Sequence, residues 1–343
     1  MNRAIFVLEK EKLQANLAHF SYLAKQTGIV WLYTLKAFDA PEGLEMIANV
    51  FEGFSIGNAN EHSKVETYAT HLHSYAPAFY DDEVQSLARQ SHTMSFNSLS
   101  QWQRYAKASQ QYTSLGLRIN PQLSLEQPRY CDSNLSRLGV PYEAFLDAYA
   151  QLEKLEGLHF HALCHQSLPA LKKLLSHIET HYQSLLPQLK WLNLGGGQNF
   201  THKGYDTLGF IEAIQNFQAK YPHLTLYFEP ASAVVYGCGY LECQILDILP
   251  STPPTAILNT SIETDLLDVA ITKHPPKVKA TSTKGYTYVL AGMSCIAGDV
   301  IGEYQFKEKL TIGQKIVFED MLGYSLVKQT TFNGLKVASF CVK

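Results

Sequence analysis

From residue 29 to residue 229 the chain alternates between short apolar stretches and segments with helical spacing. The apolar stretches fall at 29–35, 53–57, 71–76, 92–96, 114–119, 157–162, 190–194 and 224–229. Helical segments separate them at 41–51, 59–68, 81–90, 98–107, 141–152, 168–186 and 205–221. An earlier helix at 11–26 carries Leu13, Leu17, Phe20 and Leu23 on one face. Eight strands separated by helices predict a parallel (β/α)8, TIM-like barrel. An insertion at 120–139 interrupts the alternation.

After Pro230 the pattern changes. Alternating, β-branched segments at 233–236, 241–248, 255–259, 278–281, 287–291, 315–319 and 325–331 are punctuated by Pro250, Pro253-Pro254, Pro275-Pro276 and Lys284-Gly285. These predict a C-terminal all-β domain, a β-sandwich or β-barrel, that also takes in the opening strand at 4–8. The expected domains are a barrel over 25–232 and a β-domain made of 1–24 with 233–343.

Composition narrows the function classes. Apolar residues make up 46% of the chain and charged residues 17%, enough for a large core. A net charge of -3 gives no reason to expect nucleic acid or an anionic membrane as partner. The first apolar run, 4–8, is too short for a signal peptide, and no stretch has the length of a membrane span. The six cysteines are scattered, without zinc-site spacing, which predicts free thiols and the cytoplasm. No metal is expected: His161 and His165 have the spacing of a zinc pair, but no Glu lies between them and they follow a strand.

In such barrels chemistry sits at the C-terminal ends of the strands. Here those ends carry Lys36, Ser55 and Asn58, Asn97, Arg118 and Asn120, His159 and His161, Gly195-Gly196-Gly197, and Glu229. An amine at the end of a buried strand is costly to keep charged, and its neutral form is a nucleophile toward carbonyls. A triple glycine after strand seven can bring backbone N–H groups close to a phosphate. A carboxylate opposite a cofactor's pyridine nitrogen would keep that nitrogen protonated. Each residue alone also fits a structural role; their convergence on one face favours a site.

Several motifs carry a family resemblance: Tyr33 to Phe38, Tyr75-Ala76-Pro77-Ala78-Phe79, Phe96-Asn97-Ser98-Leu99, Ser136-Arg137-Leu138-Gly139, and Gly157 through His159-Phe160-His161 to Cys164. They continue with Trp191 to Gly197, Glu229-Pro230, Cys295-Ile296-Ala297-Gly298-Asp299, and Tyr324 through Asn333-Gly334. In this order, over nearly the whole chain, they resemble the fold-type III, alanine-racemase-like decarboxylases that use pyridoxal phosphate. The carboxynorspermidine (carboxyspermidine) decarboxylases are the most similar branch.

The resemblance implies that Lys36 binds pyridoxal phosphate covalently, His161 stacks on its ring and Glu229 pairs with its nitrogen. Gly195, Gly196, Gly197, Cys164 and Tyr324 would surround the phosphate. It further implies a head-to-tail homodimer with shared sites, in which Cys295 of the second chain reprotonates the α-carbon. Asp299 would meet the substrate's distal amine or pair with Arg137 across the interface.

The substrate side departs from the family. His165 stands where the family usually has Glu, Gln198-Asn199 replace two histidines, and Ala231-Ser232 replace Gly-Glu. Asn259 replaces Asp, and the segment 265–268 carries Asp265 and Asp268 in an altered pattern. Each lost carboxylate could remove a charged hydrogen bond of about 1.5–3 kcal/mol to a polyamine. His165, Ser232, Asp265 and Asp268 are therefore the expected substrate-reading positions, and the expected substrate is a small amine related to carboxynorspermidine or carboxyspermidine. The competing expectations are a decarboxylase of another diamino acid and a non-catalytic, cofactor-binding regulatory paralogue. The chain also stops at Lys343, sooner than the family, which predicts a missing part of the last strand or tail.

Overall fold

The computed structural model describes residues 3–123, 125 and 133–343. Cys131, with residues 124, 126–130 and 132 of the insertion at 120–139, lies outside the described residues. The chain divides into two compact units, Asn16–Val234 and a second made of Met1–Ala15 with Val235–Lys343. Among the described residues, no helix is long and apolar enough to cross a membrane.

The first unit is a closed parallel barrel. Its eight strands are Val30–Thr34, Gly53–Ile56, His71–Tyr75, Thr93–Phe96, Ser114–Asn120, Gly157–Phe160, Trp191–Asn193 and Thr225–Phe228. Each pairs in parallel with the next, and Thr225–Phe228 closes the ring on Val30–Thr34. A two-residue strand, Val140–Pro141, adds to the flank of Ser114–Asn120. The insertion therefore returns to the barrel before the helix Tyr142–Ala148.

Local chemistry starts the connecting helices. Asn58, Ser98 and Asp206 each cap a helix by accepting the backbone N–H three residues on. Outside the strands, Phe20 packs edge-on to Trp31 at 5.1 Å, and Trp31 to Phe200 at 5.2 Å. The indole N–H of Trp31 is satisfied by the Phe20 carbonyl at 3.0 Å. The helix at Lys10–Thr27 is thus anchored to the first barrel strand by apolar burial and one buried hydrogen bond.

The second unit is a mixed seven-stranded sheet built on one long strand, Gly239–Leu249. The first half of this strand pairs with Ile5–Leu8 on one side and Lys315–Glu319 on the other. The second half pairs with Thr255–Leu258, followed by Thr281–Ala291 and Val300–Phe306. Ser339–Val342 runs parallel to all four residues of Ile5–Leu8.

Three local expectations are corrected here. Residues 233–236 are not a strand: Ser232–Val235 forms one helical turn, with Val234 and Val235 fully buried, so packing overrides β propensity. Residues 325–331 hold a 3₁₀ turn, Leu326–Lys328. The strand Val300–Phe306 was not expected, because Gly302 and Glu303 weaken its signal; its long antiparallel partner supplies the order.

Candidate active site

A cavity of about 430 Å³ opens at the C-terminal ends of the barrel strands. Its walls include Lys36, His161, Glu229, Arg118, Arg137 and Tyr75. Lys36 sits in a 3₁₀ turn, Leu35–Ala37, directly after the first strand. Leu35 and Ala37 are buried, while Lys36 itself is exposed. The expectation of a desolvated amine is therefore corrected: the turn rotates the side chain out of the core and into the open cavity.

Glu229 follows the last strand and is only 4% exposed. Its Oε1 accepts from Asn193 Nδ2 at 2.8 Å and lies 3.7 Å from His73 Nε2. Its Oε2 lies 3.3 Å from His159 Nε2. Burial alone would raise its carboxyl, but His159, His73 and Asn193 outweigh this and hold it well below the usual range. Burial pushes both histidines down, His73 to about 3, so neither is cationic near neutral pH. His73, His159 and Glu229 hold their ligand atoms within 4.8 Å of one another, close enough for a metal by distance alone. The Asn193 donor already seated on Oε1 favours reading this as a donor cage around a carboxylate.

His161 lies on the cavity wall between Cys164 and the glycine turn. Its Nε2 is 3.4 Å from Cys164 Sγ, and its Nδ1 accepts the Gly196 N–H at 3.3 Å. Desolvation lowers its imidazole well below the ordinary value, and Arg118 and Lys36 push the same way. A neutral ring results, suited to lying against a flat aromatic ligand.

The triple glycine is built for close approach. A Cβ on Gly196 would meet the Glu229 carbonyl at 1.9 Å, and Gly195 adopts φ +68°. Gly195 N–H is taken by Asn193 Oδ1 at 2.8 Å. The turn therefore locks Glu229, Asn193 and His161 together, a task that the phosphate reading did not include.

Arg137 is exposed at the cavity, and the turn that carries it is pinned by Asn97. Asn97 Nδ2 donates to the Arg137 carbonyl at 3.1 Å, while its Oδ1 accepts from Tyr75 and from Gly139 N. Arg118 lies over the Tyr75 ring at 4.5 Å, with one guanidinium nitrogen buried and unpartnered. A cavity of this size, with a lysine, a neutral imidazole, a caged carboxylate and an orphaned guanidinium nitrogen, fits a planar anionic cofactor such as pyridoxal phosphate. His165 is exposed beyond Cys164, and Ser232 opens the turn after Glu229.

The remaining expected residues belong to the second unit. Asp265 is buried, with Oδ1 accepting from Gln329 Nε2 and Ala338 N at 2.8 Å and Oδ2 from Thr260 at 2.9 Å. Asp299 is buried and accepts from Ile262 N at 2.8 Å and Ser294 N at 3.0 Å. Both carboxylates thus organise their own loops. Asp268 pairs with Lys328, which also lies over the Tyr324 ring. Cys295 is an exposed free thiol, and its backbone N–H is held by Asn333 Oδ1 at 2.9 Å. Cys243 and Cys341 are free thiols as well.

Sequence reasoning missed Asn193, His73 and Thr93 as parts of the site's support, while Asn97 was placed at a strand end without a task. Their only sequence signal was polarity inside strands that otherwise read as core.

No family model matches the chain. A carboxynorspermidine/carboxyspermidine decarboxylase of Campylobacter jejuni is 35% identical over 97% of this chain and 90% of its own. A carboxyaminopropylagmatine decarboxylase of Synechocystis is 36% identical over 96% and 87%. A crystal structure of the Campylobacter jejuni carboxynorspermidine decarboxylase with norspermidine has a TM-score of 0.92 and 34% identity, covering 100% of this chain and 94% of that one. An SrLDC variant solved with pyridoxal phosphate shares the fold, with a TM-score of 0.84 at 18% identity and coverage of 100% and 92%.

Proposed function

This chain belongs to the carboxynorspermidine/carboxyspermidine decarboxylase family and is a decarboxylase of polyamine biosynthesis, and from that premise we propose that it removes the α-carboxylate of a carboxylated polyamine bound beside Lys36. The observation that carries this reading is the convergence of Lys36, His161 and Glu229 on one cavity. Pyridoxal phosphate, when bound there, supplies the electron sink that accepts the charge left by departing carbon dioxide.

The residues divide the work. Lys36 holds the cofactor and exchanges with the substrate amine. Its exposure in the cavity leaves it free to do both. His161 supports the ring as a neutral imidazole. Glu229, kept ionised by its donors, holds a proton on the ring nitrogen. Gly195, Gly196, Gly197, Cys164 and Tyr324 surround the phosphate. Arg118 and Arg137 give the cavity positive charge for the anionic ends of cofactor and substrate.

The active form in this reading is a cytoplasmic, head-to-tail homodimer. Cys295 of the second chain delivers the proton to the α-carbon. Its exposure supports that task, as does the exposure of Met293, Ile296 and Phe332 on the same unit. Asp299 acts by holding the 292–299 loop in shape rather than by meeting an amine directly.

The substrate is a carboxylated polyamine with an altered distal end. Two relatives of nearly equal identity differ in the substrate they are named for, one a polyamine and one a guanidine derivative. A panel of carboxynorspermidine, carboxyspermidine and carboxyaminopropylagmatine, assayed for released carbon dioxide with Lys36→Ala as control, decides among them. Turnover of one of these, lost in the control, is expected. No turnover of any of them by cofactor-loaded protein would leave the non-catalytic paralogue as the better reading.

A further inference from the structure

Beneath Glu229 the barrel interior holds a line of polar side chains to which the reaction above gives no task. His71 and His73 stand two residues apart on one strand and so share its face. Thr93 is the register partner of His73 on the next strand. The Thr93 hydroxyl lies 2.8 Å from His73 Nδ1 and 3.4 Å from His71 Nε2. On its far side, His73 Nε2 lies 3.7 Å from Glu229 Oε1. His92 stacks on His71 with centroids 4.7 Å apart and accepts the Leu72 N–H on Nδ1 at 3.2 Å. His92 is exposed, so the line runs from the N-terminal mouth of the barrel to the carboxylate.

The direction of the protons in this line can be derived. His71 and His73 are neutral near physiological pH, since burial lowers them to about 4 and about 3. Each neutral ring then has one N–H and one lone pair. A single hydroxyl bridges the two rings and has one proton to give. If His71 Nε2–H donates to Thr93 and Thr93 donates to His73 Nδ1, the proton of His73 sits on Nε2, facing Glu229. The opposite order would aim the Nε2 lone pair at a buried anion, which is costly where the dielectric is low. The carboxylate thus selects one order.

We propose that Thr93 and His73 are positioning residues for Glu229: the hydroxyl donates to Nδ1 and holds the His73 ring so that its Nε2–H faces the carboxylate, keeping Glu229 ionised and aimed at the cofactor nitrogen. This rests on the assignment of Glu229 to that nitrogen. His159 Nε2, 3.3 Å from the other oxygen, and the Asn193 amide, which donates to Oε1, also face the carboxylate. His73 touches neither substrate nor cofactor and acts only through Glu229.

The test uses full-length protein labelled with 15N-histidine, free and loaded with ring-15N pyridoxal phosphate. In the wild type the His73 signal should report a proton on Nε2, and the ring nitrogen should resonate as protonated. Thr93→Val removes the hydroxyl that holds Nδ1, so the His73 ring should lose its fixed orientation, its Nε2–H signal should shift and broaden, and the ring-nitrogen resonance should move toward its neutral position. Thr93→Ser keeps the hydroxyl and should restore both signals. The kcat should fall in Thr93→Val with KM little changed. Unchanged His73 signals in folded Thr93→Val, with unchanged ring-nitrogen signals there and in His73→Gln, would overturn the inference while leaving the cofactor assignment intact. Failure of the wild type to take up pyridoxal phosphate would overturn both. Stoichiometric metal bound at His73 in purified protein would also overturn it, replacing the donor cage with a metal site.

Discussion

Asn193 donates from Nδ2 to Glu229 Oε1 at 2.8 Å while its own Oδ1 accepts the Gly195 N–H at the same distance. One amide thereby fixes the orientation of the buried carboxylate and the path of the glycine turn. Replacing it by Ala leaves a charged acceptor short of a donor and a buried N–H unmatched. We expect Asn193→Ala to lose about 2–6 kcal/mol of stability, from roughly 1–3 kcal/mol for each of the two orphaned groups. Urea unfolding would give the loss, and a cofactor titration should show weaker pyridoxal phosphate binding. Unchanged values in both would show that neighbouring donors substitute for the amide.

Gly196 has no room for a side chain, since a Cβ would stand 1.9 Å from the Glu229 carbonyl oxygen. Gly196→Ala must push apart the turn and the end of the last barrel strand. An overpacking cost of about 1–3 kcal/mol is expected. The displacement should also weaken cofactor uptake, read from the absorbance of bound pyridoxal phosphate. Wild-type uptake and stability would show that the turn yields freely.

Asp265 gathers Gln329, Ala338 and Thr260 around one buried carboxylate. Asp265→Ala should therefore act on folding of the sheet unit, by on the order of 3 kcal/mol from several orphaned donors. In protein that remains folded, KM for the polyamine substrate should stay within about threefold, which is under 1 kcal/mol. A large rise in KM at unchanged stability would return Asp265 to the substrate-binding set.

Acid should weaken the barrel before it titrates the carboxylates. His71 has its pKa lowered from 6.5 to about 4, and His73 from 6.5 to about 3. Below 6.5 the unfolded chain binds these protons and the folded chain does not, so stability rises with pH across the window from about 4 to 6.5. Each histidine contributes a slope approaching about 1.4 kcal/mol per pH unit within its window. Glu229 has the opposite shift relative to its charge: its stabilisation is present above the unfolded value and is lost as pH falls through its depressed folded value. Urea midpoints measured from pH 7 to pH 4 for wild type and His71→Gln separate the terms. The variant should show the shallower slope, and equal slopes would remove His71 from the account.

Much of the barrel was readable because its signals are local. An apolar run of four to seven residues between capped helices has few alternatives, so all eight strands lie within two residues of their expected bounds. Lys36, His161 and Glu229 were legible as a group for the same reason: strand ends are defined by where the apolar run stops. The errors have a common physical origin. Residues 233–236 look like a strand by composition, yet Val234 and Val235 gain more by burial in a helical turn. Asp265 and Asp299 carry a related lesson: the donors that meet them come from far along the chain, so those hydrogen bonds have no local signal in the sequence.

By itself, then, the sequence determined the order and kind of elements, the face on which the chemistry gathers, and the family, because periodicity and motif order are properties of neighbours along the chain. The tertiary structure alone decided which polar groups meet. Asn193 finds Glu229, Thr93 finds His73, and Lys36 turns outward into a cavity, because strand register and one turn of 3₁₀ helix set distances that no local pattern encodes.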